Sequence, residues 1–111
     1  MEYTYLPDLP TTTVSHNQEI KKKTIIENGK IPHITNFAQA HFPPQQIAYT
    51  HSHDDMWEVF LIVSGKGKIK VKGQEFILKP GVCITVAPHE THEIINDGCE
   101  ELITNYFGIA E

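Results

Sequence analysis

Residues 51–58 read His51-Ser52-His53-Asp54-Asp55-Met56-Trp57-Glu58, two imidazoles separated by one residue and then a carboxylate. In a strand, residues i and i+2 point the same way, so His51 and His53 share a face. Their Cβ atoms are then roughly 7 Å apart. Two imidazoles can lean across that gap and meet at one ion, because metal–nitrogen bonds are about 2.0–2.1 Å long. Asp54 to Trp57 interrupt the strand period as a turn, after which Glu58 can return on the next strand toward the same point. Downstream, His92 opens a further strand, and a barrel can bring it across to make a site of His51, His53, Glu58 and His92. A nitrogen-rich set with one carboxylate suits Fe(II), Mn(II), Ni(II), Cu(II) or Zn(II) and does not suit Ca or Mg.

The elements that must position these side chains are short. Alternating or β-branched runs cover 23–27, 34–41, 47–53, 57–63, 67–71, 74–78, 82–86, 92–96 and 101–107. Asn28-Gly29, Pro43-Pro44, Ser64-Gly65, Lys72-Gly73, Lys79-Pro80-Gly81 and Asp97-Gly98 divide them. Lys72-Gly73 between two alternating runs predicts a hairpin turn. No stretch sustains an i, i+3, i+4 apolar period, so helix should be minimal. Many short strands at this spacing predict an all-β fold, a sandwich or small antiparallel β-barrel. The 111 residues are one domain's worth of chain. Residues 1–18, with Pro7, Pro10 and a threonine run, are expected as an extended arm, and 19–111 as a single β-barrel domain. Tyr3, Tyr5, Leu6 and Leu9 give that arm apolar groups suited to packing on the domain or on a second subunit.

The spacing of these residues closely resembles the cupin superfamily. The first cupin motif, G(x)5HxH(x)3,4E(x)6G, is answered by His51, His53, Glu58 and Gly65; the second, G(x)5PxG(x)2H(x)3N, by Gly81, His92 and Asn96. There are three departures: Gln45 stands where the first motif opens on glycine, Ala87 where the second has proline, and His89 where it has glycine. None is a ligand position, though the turn before His92 must be made differently. The resemblance covers about residues 45–96. It implies a conical antiparallel barrel of the double-stranded β-helix or jelly-roll type, often a homodimer. Its three histidines and glutamate would hold one divalent transition metal (Fe, Mn, Ni, Zn, Cu or Co), with two positions left for water, substrate or dioxygen. Asn96 would support the turn.

Around that centre, Tyr49 and Ile47 precede His51 at the same parity and are expected to point inward with it. Phe60 and Ile62 follow Glu58 in the same way and are expected to line an apolar pocket. Phe37, Gln39 and His41 share a strand face. If that face is the inner one, Gln39 or His41 supports the site; otherwise His41 is a surface histidine. His89, in the turn before His92, lies near the mouth, either as an exposed turn residue or as an acid or base, since histidine titrates near neutral pH.

Composition narrows the partners. A net charge of −5 argues against nucleic acid. Lys21, Lys22 and Lys23 form a short run, and Lys66, Lys68, Lys70 and Lys72 alternate along what reads as a solvated strand face. All nine basic residues are lysine, which disfavours phosphate-clamping chemistry that relies on arginine's planar fork. Cys83 and Cys99 form no C-x-x-C pair and are expected as free thiols, with Cys83 buried. No apolar run approaches the roughly 20 residues of a membrane span, and the first twenty residues hold no secretory signal, so a cytoplasmic protein without membrane partners is expected.

Three functions follow. The leading one is a metal-dependent enzyme on a small chelating organic substrate, a dioxygenase of the quercetinase or diketone-cleaving kind, in which Glu58 both binds metal and takes a substrate proton. The second is a non-redox isomerase, lyase or polyketide cyclase on the same site. The third is a small-molecule binding or sensing module without catalysis.

Overall fold

A computed structural model of the chain describes residues 1–110, leaving aside the side chains of Tyr49, Thr50 and His51. Ten strands follow a single 3-10 turn at Leu6–Asp8: β1 (Thr12–Val14), β2 (Asn17–Ile26), β3 (Ile34–Phe42), β4 (Ile47–His51), β5 (Met56–Ser64), β6 (Gly67–Val71), β7 (Gln74–Leu78), β8 (Cys83–Val86), β9 (His92–Ile95) and β10 (Leu102–Ala110). The fold is all-β, with every ladder antiparallel. One sheet has the order β1-β2-β3-β10-β5-β8 and the other β4-β9-β6-β7. From β3 onward the chain repeatedly switches between them, the pattern of a jelly roll.

The sheets stack face to face without closing into one hydrogen-bonded barrel among the described residues. Alternation along each strand supplies the reason for the stacking. Ala40, Phe42, Phe60, Ile62 and Leu102 from the larger sheet meet Ala48, Ile69, Leu78 and Ile94 from the smaller in one core. Each fully buried side chain such as Ile69 or Leu102 contributes about 1.5–3 kcal/mol over its exposed state. On one flank the Asn17 amide reaches from β2 to the Ile47 carbonyl at 2.9 Å and the Gln46 side chain at 3.2 Å, tying β2 to the start of β4.

The hairpin expected at Lys72-Gly73 joins β6 to β7. Both residues have positive φ (51° and 76°), as a type I′ turn requires. Lys68 and Lys70 lie on the outer face of β6, paired with Glu75 and Asp97, while Ile69 between them is fully buried. The strand expected at 23–27 begins earlier, at Asn17, so Lys21, Lys22 and Lys23 belong to it. Within residues 1–18, Tyr3 and Tyr5 are exposed while Leu6 and Leu9 are half-buried. Cys83 is exposed, contrary to expectation, because Ile84 and Val86 take the inward positions of β8. No helix among the described residues is long and apolar enough to cross a membrane.

Candidate metal centre

Three groups converge where the strands β4, β5 and β9 meet. His53 Nε2 and His92 Nε2 each stand 3.1 Å from the same oxygen, Glu58 Oε1. One donor atom from each residue lies within 4.8 Å of the others. Donors held about 2.0–2.2 Å from one ion and at right angles to each other stand about 3 Å apart, so this trio fits a divalent transition metal. His92 and Glu58 are buried, 1% and 7% exposed, while His53 is half-buried toward the mouth.

Neighbouring backbone fixes each group. Glu58 sits in mid-sheet on β5, opposite Val86 of β8 and Gly108 of β10. β5 ends at Gly65 (φ +86°), where a side chain would collide with the Glu101 carbonyl. The His53 carbonyl accepts a 2.6 Å hydrogen bond from the His89 N–H. His92 Nδ1 donates to the Glu90 carbonyl at 3.0 Å, which turns Nε2 toward Glu58. Glu90 also closes its own turn: its carboxylate accepts the Ala87 N–H at 2.7 Å and pairs with Lys72 at 3.2 Å. The turn before His92 thus forms without the motif's proline and second glycine. Gln45 and His89, at the motif's two glycine positions, both keep the left-handed backbone, with φ of 69° each.

Electrostatics follow from this packing. Burial lowers the His92 pKa, but the hydrogen bonds and charge it gains from Glu58 and Glu90 outweigh that, and it ends above the ordinary 6.5. The Ala87 N–H, then Lys72, hold the Glu90 carboxyl below its usual value.

Other expected site residues divide. His51 pairs directly with His92 in the β4–β9 ladder; its side chain and that of Tyr49 lie outside the described residues. Ile47 is a correction. Three steps along β4, from Ala48 to His51, answer two along β9, from Ile94 to His92, so parity counted back from His51 is broken by one extra residue. Ala48 therefore lines the cavity beside the centre and Ile47 does not. Phe60 lines it, its ring 6.0 Å from that of His92, whereas Ile62 is core beneath it. Gln39 and His41 are on the outer sheet face, since Ala38, Ala40 and Phe42 are the inward residues of β3. There His41 bridges Gln39 and Glu101, and Gln39 bonds Asn105. His89 is an exposed turn residue whose ring pairs with Asp54 at 3.3 Å. Asn96 supports its turn as expected, with its amide on the Phe42 and Glu100 carbonyls and its side-chain oxygen on the Gly98 N–H.

The cavity, about 330 Å³, is lined by His53 and Glu58 at one end. It also contains groups that sequence reasoning missed: Lys22, Asn36, Met56, Thr104 and Tyr106, with Ser15 and His16 between β1 and β2. Tyr106 stacks on Phe60 at 5.6 Å, with the Asn36 side chain as the polar group that acts on its hydroxyl. Burial, which outweighs the lowering by Asn36, and the Glu58 charge push that hydroxyl above the ordinary pKa, so it stays protonated. The alternation Leu102, Thr104, Tyr106 in β10 was the available signal.

A family model for the cupin domain matches residues 38–104. No curated protein matches the chain in sequence. Among solved structures, a predicted oxalate decarboxylase from Thermotoga maritima superposes with a TM-score of 0.91 at 18% identity, over 99% of this chain and 100% of that one. KdgF from Halomonas sp. gives 0.82 at 15% identity, over 99% and 96%. The cupin domain of Cnp3 from Schizosaccharomyces pombe gives 0.81 at 18% identity, over 96% and 72%. At such identities these likenesses speak for the fold alone. With the family model covering more than half its length, the chain belongs to the cupin family.

Proposed function

We propose that this cupin binds one divalent transition metal through His53, Glu58 and His92, with His51 as the fourth ligand, and transforms a small organic molecule that chelates it. The observation that carries this reading is the convergence of two imidazole Nε2 atoms on one buried carboxylate oxygen at the end of a cavity of small-molecule size. When bound, the metal (Fe, Mn, Ni, Zn, Cu or Co) supplies Lewis-acid polarisation and a template for the substrate. The chain's own residues do the rest. Phe60, Ala48 and Ile94 form apolar wall that excludes water. Glu58, the proposed catalytic residue, takes a proton from the bound substrate. Tyr106, kept protonated, donates a hydrogen bond from β10, the neighbour of the strand that carries Glu58.

In its concrete form the reaction is dioxygen-dependent cleavage of an enolisable chelator, as in enzymes of the quercetinase or diketone-cleaving kind. Aerobic assay of the Fe(II), Mn(II) and Ni(II) forms with diketones and flavonols tests it; no oxygen uptake with any form overturns it. One observation favours a non-redox alternative, an isomerase, lyase or cyclase: Tyr106 is a protonated acid in the same cavity as a carboxylate base. The likeness to a predicted oxalate decarboxylase is in keeping with it. Turnover by the Zn(II) form under anaerobic conditions decides for this reading. Tight binding without turnover in any form would instead mark a sensing module.

We further propose that the protein is a homodimer. The outer face of the larger sheet bears a second groove, lined by Ile31, Phe37, Val59, Leu61, Phe107 and neighbours without a single ionisable side chain. Trp57, Leu61, Val63 and Ile109 are 38–44% exposed around it. An uncharged apolar face meets its own copy without repulsion and favours an isologous contact. Light scattering at micromolar concentration should give twice the chain mass, and Leu61→Lys should give the monomer; a monomeric wild type overturns the proposal. A reducing, cytoplasmic setting suits the two exposed, unbridged thiols Cys83 and Cys99.

A further inference from the structure

Of the three consecutive lysines on β2, two are tied down outside. Lys21 Nζ donates to the Gln18 carbonyl at 3.1 Å and Lys23 Nζ to the Pro7 carbonyl at 3.0 Å. Lys22 alternates with them. It pairs across the ladder with Ala40, a buried inward residue, and shares the face of Ile20, which is fully buried. Its side chain is half-buried and lines the metal cavity. Among the described residues it has no carboxylate within ion-pair distance and no hydrogen bond. A lysine that lines a mostly apolar cavity without a counter-charge offers an anion its natural place there.

From this the geometry points to an anionic substrate: a small molecule with a chelating oxygen pair at one end and a carboxylate at the other, the carboxylate resting on Lys22. The inference builds on the metal-site reading above and names its substrate class. One lysine is a point charge suited to a single carboxylate, whereas phosphate calls for several donors or a planar fork, and the cavity provides no arginine. Glu58 occupies the metal end, so a substrate carboxylate not on the metal is repelled there and drawn toward Lys22. A volume of about 330 Å³ admits a compact acid.

The test uses succinate, glutarate and adipate against their monomethyl esters, with inorganic phosphate as a further probe. Binding is measured by titration calorimetry to the full chain, both metal-free and Zn(II)-loaded. For the best-fitting chain length the diacid should bind about tenfold tighter than its monoester, a step typical of one charge-assisted contact. In Lys22→Gln the ratio should fall to about one with zinc stoichiometry unchanged, and in Lys22→Arg it should persist. In the metal-free protein the monoester, whose one carboxylate can rest on Lys22, should bind wild type about tenfold tighter than Lys22→Gln. A ratio near one for the zinc-loaded wild type, a ratio unchanged in Lys22→Gln, or phosphate binding tighter than every diacid overturns the inference. Failure to bind zinc overturns the metal reading instead, while the metal-free comparison of wild type with Lys22→Gln still judges Lys22.

Discussion

The backbone N–H of His89 donates to the carbonyl oxygen of His53 across 2.6 Å, so the turn that leads into one metal-site histidine also holds another. His89 adopts a φ of 69° to do this, at a cost for a non-glycine residue of about 1–2 kcal/mol. His89→Gly should keep the hydrogen bond and relieve that strain, partly offset by glycine's extra chain entropy. The exposed pair with Asp54 is worth little. Thermal unfolding should place this variant within about 1 kcal/mol of wild type, on the stable side, with zinc affinity unchanged. His89→Pro removes the N–H and the backbone angle together, and zinc titration should show affinity falling about 10–100-fold.

Glu58 touches both imidazoles, so it should matter more for metal than any other described residue. Glu58→Gln and His92→Ala should each lower metal content on elemental analysis to a small fraction of one equivalent while the strands persist by circular dichroism. Full metal loading of both variants would sink the assigned site.

Tyr106→Phe deletes only a hydroxyl from the cavity wall. The stability loss should be about 1 kcal/mol, with metal content intact. If Tyr106 hands over a proton in the reaction, turnover should drop about 10²–10⁴-fold. A change in KM alone would make it a positioning residue.

Acid should loosen the turn before His92. The Glu90 carboxylate is held below its ordinary pKa of 4.5 by the Ala87 N–H and Lys72. A depressed carboxyl contributes stability above its unfolded value and loses it as pH falls through the folded one. Wild type should therefore exceed Glu90→Gln in thermal stability above about pH 4.5, and the gap should close as pH drops further below that. A gap independent of pH would show that the carboxylate charge does nothing there.

Much of the site could be read from residue order because its spacing is a property of strands. His53, Glu58 and His92 converge as their positions around the turns imply, and the Lys72-Gly73 turn needs only local backbone preference. What escaped reading depends on which way a strand faces, a fact decided by packing between distant segments. Gln39 and His41 lie outside because the small alanines beside them fit the crowded interior. Lys22 lies inside because Ile20 must. Ile47 was misplaced by an added residue in β4 that no composition signal marks, and Tyr106 because β10 had no ligand from which to count its parity.

That added residue sets how this protein can tolerate change. The apolar start of β4 and its histidine end are out of phase, so neither half dictates the register of the other. Substitutions near Ile47 can accumulate without turning His51 away from its place opposite His92. Loss of a single codon between Ala48 and His51 would be another matter: two steps would then answer two, and the ladder would run unbroken with the histidine still opposite His92.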